Sequence, residues 1–180
     1  AGDRATYDRL YTHWDGSPAR DHYRIAWRTQ VPLTGERTLT PSIIPPGSAH
    51  VDGLYSASSP RQHEDGLVLA SGALSSLLVD FYTRSRGFSH IRSSAANSLP
   101  TVSSESPLAL RVRYRTLRLN CLTDAYADLW AECWDESFAA DSPILERYDE
   151  RLIGPEWTAD TPLRRAEDRR NAQAEIDVMV

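Results

Sequence analysis

The sequence reads as an α/β protein of the α+β kind. A small mixed sheet comes from the first half with helices packed on it, and the C-terminal half is helical. Three observations say so. Apolar and polar residues alternate in short runs before residue 58, as half-buried strands require. From residue 66 onward apolar residues recur at three-four spacing, the mark of amphipathic helices. The 180 residues are 41% apolar, enough for one core of ordinary size. Residues 1–105 are expected to form a mixed strand and helix module, with 106–180 a helical extension packed on it.

Tyr23, Ile25, Trp27 and Val31 alternate with Arg24 and Arg28, which predicts a strand over 22–31. Residues 37–44 read as a second extended segment, kept off a central ladder position by Pro41. Pro45, Pro46 and Gly47 make a turn, and residues 50–57 a third strand weakened by Gly53. A single helix is predicted over 66–82, capped by Asp65, with Leu67, Ala70, Leu74, Leu77, Leu78 and Phe81 on its apolar face. Its small residues around Gly72 leave it thin, so that a sheet or another helix can approach closely. Residues 83–102 are polar and serine-rich and read as a loop.

A long helix is expected after Ser106 as cap, with Pro107 at its first position and a run through Leu117, Cys121, Leu129 and Cys133. The alternation over 108–114 also permits a strand. On the helical reading Arg111, Arg115 and Arg118 share a face, and Trp130, Trp134 and Phe138 broaden the apolar stripe. Residues 141–160 form a connector, and a final helix starts at Thr161-Pro162, charged first and apolar by Ile176.

No apolar run reaches membrane-spanning length, and the start shows no signal-peptide pattern. The first residue is not Met, and the last five, Ile176 to Val180, run on without a helix stop signal; the chain reads as a piece of a longer protein. Cys121 and Cys133 are too few for a disulfide framework and match no zinc-knuckle spacing, which fits a reduced cytoplasmic setting. All 20 basic residues are arginine, each a planar multi-donor fork suited to phosphate and guanine edges. The net charge of −5 is uneven: residues 1–100 hold ten Arg against nine acidic side chains, and 101–180 ten Arg against sixteen. The first half, which also carries all five histidines, therefore permits contact with a polyanion.

No catalytic set emerges. Ile44-Pro45-Pro46-Gly47 invites comparison with the Pro-Pro loop of adenine amino-methyltransferases, yet Ile44 cannot accept a hydrogen bond through its side chain and Gly47 cannot stack on a base. A Gly-rich strand-to-helix turn for a nucleotide-like cofactor is missing, as is a Gly-x-Ser-x-Gly nucleophile elbow. His13 and His22 lie nine apart near Asp15 and Asp21, and His50 and His63 thirteen apart, spacings that argue against a helical metal site. Neither a catalytic residue nor a metal ligand is assigned.

The order of segments carries more. "RIAWR", then "ERTLTPSIIPPGSAH", then "LASGALSSLLVDFYTRSRGFSHIRSSAANSLPTV" resembles the TaqI-like specificity region of adenine-N6 DNA methyltransferases. Such regions occur in restriction–modification and phage-defence systems of the type IIG, BREX and DISARM groups. "LRLNCLTDAYADLW" and "TPLRRAEDRRNAQAEIDVMV" are similar to the helical stretches that follow in long members, so the likeness covers about residues 22–180. The chain departs from the pattern at Ala96-Asn97-Ser98, where members often carry an apolar or acidic residue before Leu-Pro.

The resemblance implies a target recognition domain that enters a DNA groove and selects the methylation site. Its partners would be double-stranded DNA and the methyltransferase domain of the same parent chain, with no membrane. No cofactor is expected in this stretch; S-adenosylmethionine belongs to the parent's catalytic domain. Arg84, Arg86 and Arg92 are then candidates for phosphate or guanine contacts, Asn97 for adenine, and His90 lies on the same loop. Arg28, Arg37, His50 and Arg61 form a second tier. The alternative is a helical protein–protein module of a defence complex without direct DNA contact, resting on the acidic, Trp-bearing 117–138 stretch and the apolar C-terminal end.

Overall fold

β1 (Arg24–Arg28) is the centre of a three-stranded antiparallel sheet in the order β2–β1–β3, with β2 at Ser42–Ile44 and β3 at Leu54–Ala57. The structure is a computed structural model and describes residues 3–32, 34–59, 63–141 and 153–180. Ile25 pairs with Ile43 on one side and Ala57 on the other, which fixes the register. The strands fall inside the predicted segments but are shorter. Pro41 stands just outside β2, as its missing N–H requires. Arg24 was expected on the solvent face of β1; it is buried instead, and its guanidinium donates to Ser48 O at 2.5 Å because the turn after β2 folds over that side.

β2 is an edge strand, and the second half closes that edge. Asn120 Oδ1 accepts from Ile43 N at 2.9 Å, and Tyr126 OH donates to Ile43 O at 2.8 Å. Both outward backbone groups are thus satisfied, and the edge cannot template another strand.

The helix predicted over 66–82 is two helices. α2 (Glu64–Ser75) and α3 (Leu77–Ser85) meet at 63°. Ser76 makes the break: its backbone is extended, its Oγ donates to Ala73 O, and it accepts from Val79 N as the cap of α3. Asp65 is not the cap of α2; it lies in the first turn and pairs with Arg113. A short α1 (Arg4–Leu10) precedes the sheet without a sequence forecast. The 83–102 segment is less irregular than expected, since α3 runs to Ser85 and a single turn, α4 (Ser93–Ala96), follows.

The long helix predicted from residue 107 starts later and breaks. α5 spans Ala109–Asn120, a 3-10 turn Asp124–Tyr126 follows, and α6 spans Ala127–Glu132. Helix is the outcome over 109–114, where alternation also allowed a strand. α7 occupies Ala166–Met179, starting later than Thr161. Among the described residues no single helix is long and apolar enough to cross a membrane.

α2 lies against α5, and α5 against α7. The main core runs from Tyr23, Ile25 and Trp27 of the sheet through Leu67 and Val68 to Leu117, Leu129 and Trp130. Cys121 and Cys133 are free and buried in it; burial pushes the Cys121 thiol up to about 12 and raises that of Cys133 as well. They serve packing, not reactivity.

Candidate nucleic-acid interface

Beyond Arg28 the chain continues extended and acquires a new neighbour, the loop after α3. Gly87, with φ +64, ends that helix in the left-handed conformation that suits glycine. Ile91 N then donates to Thr29 O at 2.8 Å and Val31 N to Ser89 O at 3.1 Å, with Gln30 bridged to His90. On the other flank Thr29 N donates to Gly53 O at 2.9 Å. Trp27 Nε1 donates to Ile91 O at 3.0 Å, so buried Trp27 and Ile91 anchor a polar loop to the core.

Strand alternation decides what faces water. Trp27, Thr29 and Val31 are buried, whereas Arg28 and Gln30 are exposed. His90 and Arg92 are also exposed, and Arg92 reaches toward the exposed Asp52 at 3.9 Å. One end of the sheet thus presents Arg28, Gln30, His90 and Arg92. An exposed pair at that distance contributes little, so Arg92 can exchange Asp52 for a phosphate.

The remaining candidates are elsewhere. Arg86 sits at the root of the loop, its guanidinium 6.0 Å from the rings of Tyr82 and Phe88. Arg84 is a structural residue: Nε donates to Asp80 at 2.8 Å, and the other arm donates to Gly35 O and Glu36 O. Arg37 is one too, held by both oxygens of Asp177 at 3.0 and 2.6 Å and by Ser75 O at 2.8 Å. His50 bonds Ser56 Oγ at 2.8 Å beside the rings of Tyr7 and Tyr11, and burial lowers its pKa. Asn97 is exposed but lines a cavity of about 300 Å³ with Ile25 and Trp27, on the face of β1 opposite Arg28. Arg61 lies outside the described residues. Of the three loop arginines, Arg84 is thus held within the fold by Asp80 and two carbonyls, while Arg86 and Arg92 stay exposed.

Two arrangements escaped the sequence reading. Gln30 joins the cluster, and the period-2 pattern that placed Arg28 outward marks it too. His13, Asp15 and His22 come together, although a spacing of nine residues carries no local signal. Ser17 Oγ lies 2.6 Å from His22 Nε2, yet no nucleophile results. The hydroxyl also lies 2.5 Å from Asp15 Oδ1 and gives its proton there, so His22 can only donate to the serine. A catalytic serine needs the opposite polarity.

Comparison with family models, with curated proteins and with solved structures returns no match.

Proposed function

We propose that this chain is a DNA target recognition module for a bacterial adenine-N6 methyltransferase of a restriction–modification or phage-defence system. Its contact surface is the sheet end bearing Arg28, Gln30, His90 and Arg92. The observation that supports this is the pairing of the 89–91 loop with residues 29–31, which brings the exposed His90 and Arg92 to the end of the strand that carries Arg28 and Gln30. Arg forks and Gln amides are the donors that suit guanine and adenine edges in a major groove, and the same arginines serve phosphates. Methyl transfer belongs to another domain, which would hold S-adenosylmethionine.

The test is duplex binding by the 180-residue chain at low ionic strength, followed by fluorescence anisotropy across a salt series. Each lost phosphate contact reduces the slope of log K against log salt by about 0.9. Arg28→Gln and Arg92→Gln should each weaken binding and flatten that slope, while Arg165→Gln, exposed just ahead of α7, should not. A wild-type chain that fails to bind DNA at low salt defeats the reading.

One observation favours the protein-docking alternative. Leu77, Leu78 and Phe81 of α3 are 50, 50 and 70% exposed, and Val178 of α7 is 78% exposed. Leu77 N donates to Asp177 at 2.8 Å, so the two helices present these side chains close together. The tryptophans of the 117–138 stretch do not serve this surface: Trp130 is fully buried and Trp134 packs half-buried against it. On this reading Phe81→Ser with Leu78→Ser should abolish partner capture, and the wild-type chain should show no duplex binding.

A further inference from the structure

The N-terminal segment gathers chemistry that DNA contact does not use. Thr12 bridges Pro18, His13 N donates to Ser17 O at 2.7 Å, and Gly16 turns the chain at φ +85, so residues 12–18 form a tight hairpin. A 3-10 turn, Ala19–Asp21, then brings His22 back until its ring stacks on His13 with centroids 3.9 Å apart. One ligand atom each from His13, Asp15 and His22 lie within 4.8 Å of one another.

The geometry of His13 directs it into this cluster. Its side chain is only 2% exposed, and its Nε2 lies 3.1 Å from Ser59 O. A carbonyl only accepts, so Nε2 carries a proton and Nδ1 is the nitrogen left to face the cluster, 3.3 Å from Asp15 Oδ1. A backbone carbonyl holding the far nitrogen is also how proteins orient a metal-binding imidazole.

We propose that His13, Asp15 and His22 bind a divalent transition ion of the zinc class, which ties the 12–18 hairpin to the turn that carries His22. Two imidazoles and one carboxylate suit zinc, with a water completing the tetrahedron, and exclude calcium and magnesium, which take oxygen donors. Ser17 Oγ now fills the centre, 2.5 Å from Asp15 and 2.6 Å from His22. The ion displaces it, and the half-buried His22 ring turns out of the stack so that its lone pair converges with that of His13. The site is independent of the DNA reading.

The probe is Zn²⁺ alone, titrated by calorimetry into the whole chain after chelator treatment. One ion per chain is expected. His13→Ala and His22→Ala should each lose about tenfold or more in affinity. His50→Ala and Ser17→Ala should bind as wild type. Where a histidine variant fails to fold, the Co²⁺-loaded wild-type chain decides, and hyperfine-shifted imidazole N–H resonances from two histidines are expected. Stoichiometric binding absent from the wild type, binding undiminished in both histidine variants, or a cobalt form without imidazole resonances overturns the site.

Discussion

Arg115 Nε donates to Glu175 Oε2 at 2.5 Å with the two side chains 0 and 1% exposed, so α5 and α7 are joined by an ion pair inside the protein. Asp141 Oδ2 takes a second nitrogen of the same guanidinium, and Arg111 Nε donates to Asp141 Oδ1 at 2.8 Å. The shared face of Arg111, Arg115 and Arg118 that helical spacing predicts is real, but it is turned inward. Removing one partner of a buried pair leaves the other charge desolvated, a loss of about 3–5 kcal/mol. Glu175→Leu should therefore destabilise the chain by about that much in urea denaturation. Asp141 keeps its own bond to Arg115 in that variant, which holds the loss toward the lower end of that range.

Gly72 marks the closest approach of α2 to α5. A Cβ built there would stand 2.3 Å from Thr116 Oγ1 and 2.8 Å from Val112 Cγ1. Alanine favours a helix over glycine by about 1 kcal/mol, whereas overpacking a core costs about 1–3 kcal/mol. The clash should win, and Gly72→Ala should lower stability by about 1–2 kcal/mol. Because Thr116 is the nearer obstacle, Thr116→Ala in the same chain should relieve most of it, a coupling that a double-mutant cycle measures.

These two cases separate what residues announce from what they hide. Thin helices show in small side chains, so the tight packing at Gly72 was legible, as were the strands around Trp27 and the outward Arg28. The break at Ser76 was not, because the apolar spacing of Leu74, Leu77, Leu78 and Phe81 runs straight through it; a serine hydroxyl capping Val79 is a local competitor that periodicity does not register. Partner choice was hidden as well. Arg37 and Arg92 look alike in sequence, yet one meets Asp177 140 residues away and the other stays in water. The His13, Asp15 and His22 cluster depends on a hairpin and a 3-10 turn, neither of which has a period.

Glu64 gives a pH dependence with a definite sign. It is 9% exposed at the start of α2, and among the described residues its Oε2 has no hydrogen-bond partner. Burial, with Glu132 nearby, pushes its carboxyl from 4.5 up to about 7, against the helix dipole that would otherwise favour the anion. A raised pKa means the folded form holds the proton more tightly than the unfolded one. This group's contribution is therefore fully present below about pH 4.5 and is lost as pH rises through about 7. Glu64→Gln should stabilise the chain at pH 8 by on the order of 1–3 kcal/mol and leave it nearly unchanged at pH 4.5. Thermal melts at the two pH values check it, and equal gains at both would assign the effect to packing instead.

Asp80 separates an arginine that belongs to the fold from those that stay exposed. Burial pushes its carboxyl up, but hydrogen bonds from Thr38 Oγ1, Thr38 N, Leu39 N and Arg84 outweigh that and hold it below its ordinary value. Arg84 in turn fastens the 35–36 backbone, so its guanidinium is part of the fold. Arg84→Gln should cost about 1–3 kcal/mol of stability, since it removes a charge-assisted bond to a 5%-exposed carboxylate. At a temperature where the variant remains folded, the salt slope of DNA binding should equal that of wild type. Arg92→Gln should do the reverse, with stability within about 0.5 kcal/mol of wild type and a flatter slope, because its 3.9 Å pairing with Asp52 is solvent-exposed. If Arg84→Gln flattens the slope as much as Arg92→Gln, the contact surface extends along α3, and Asp80 releases its arginine when DNA arrives.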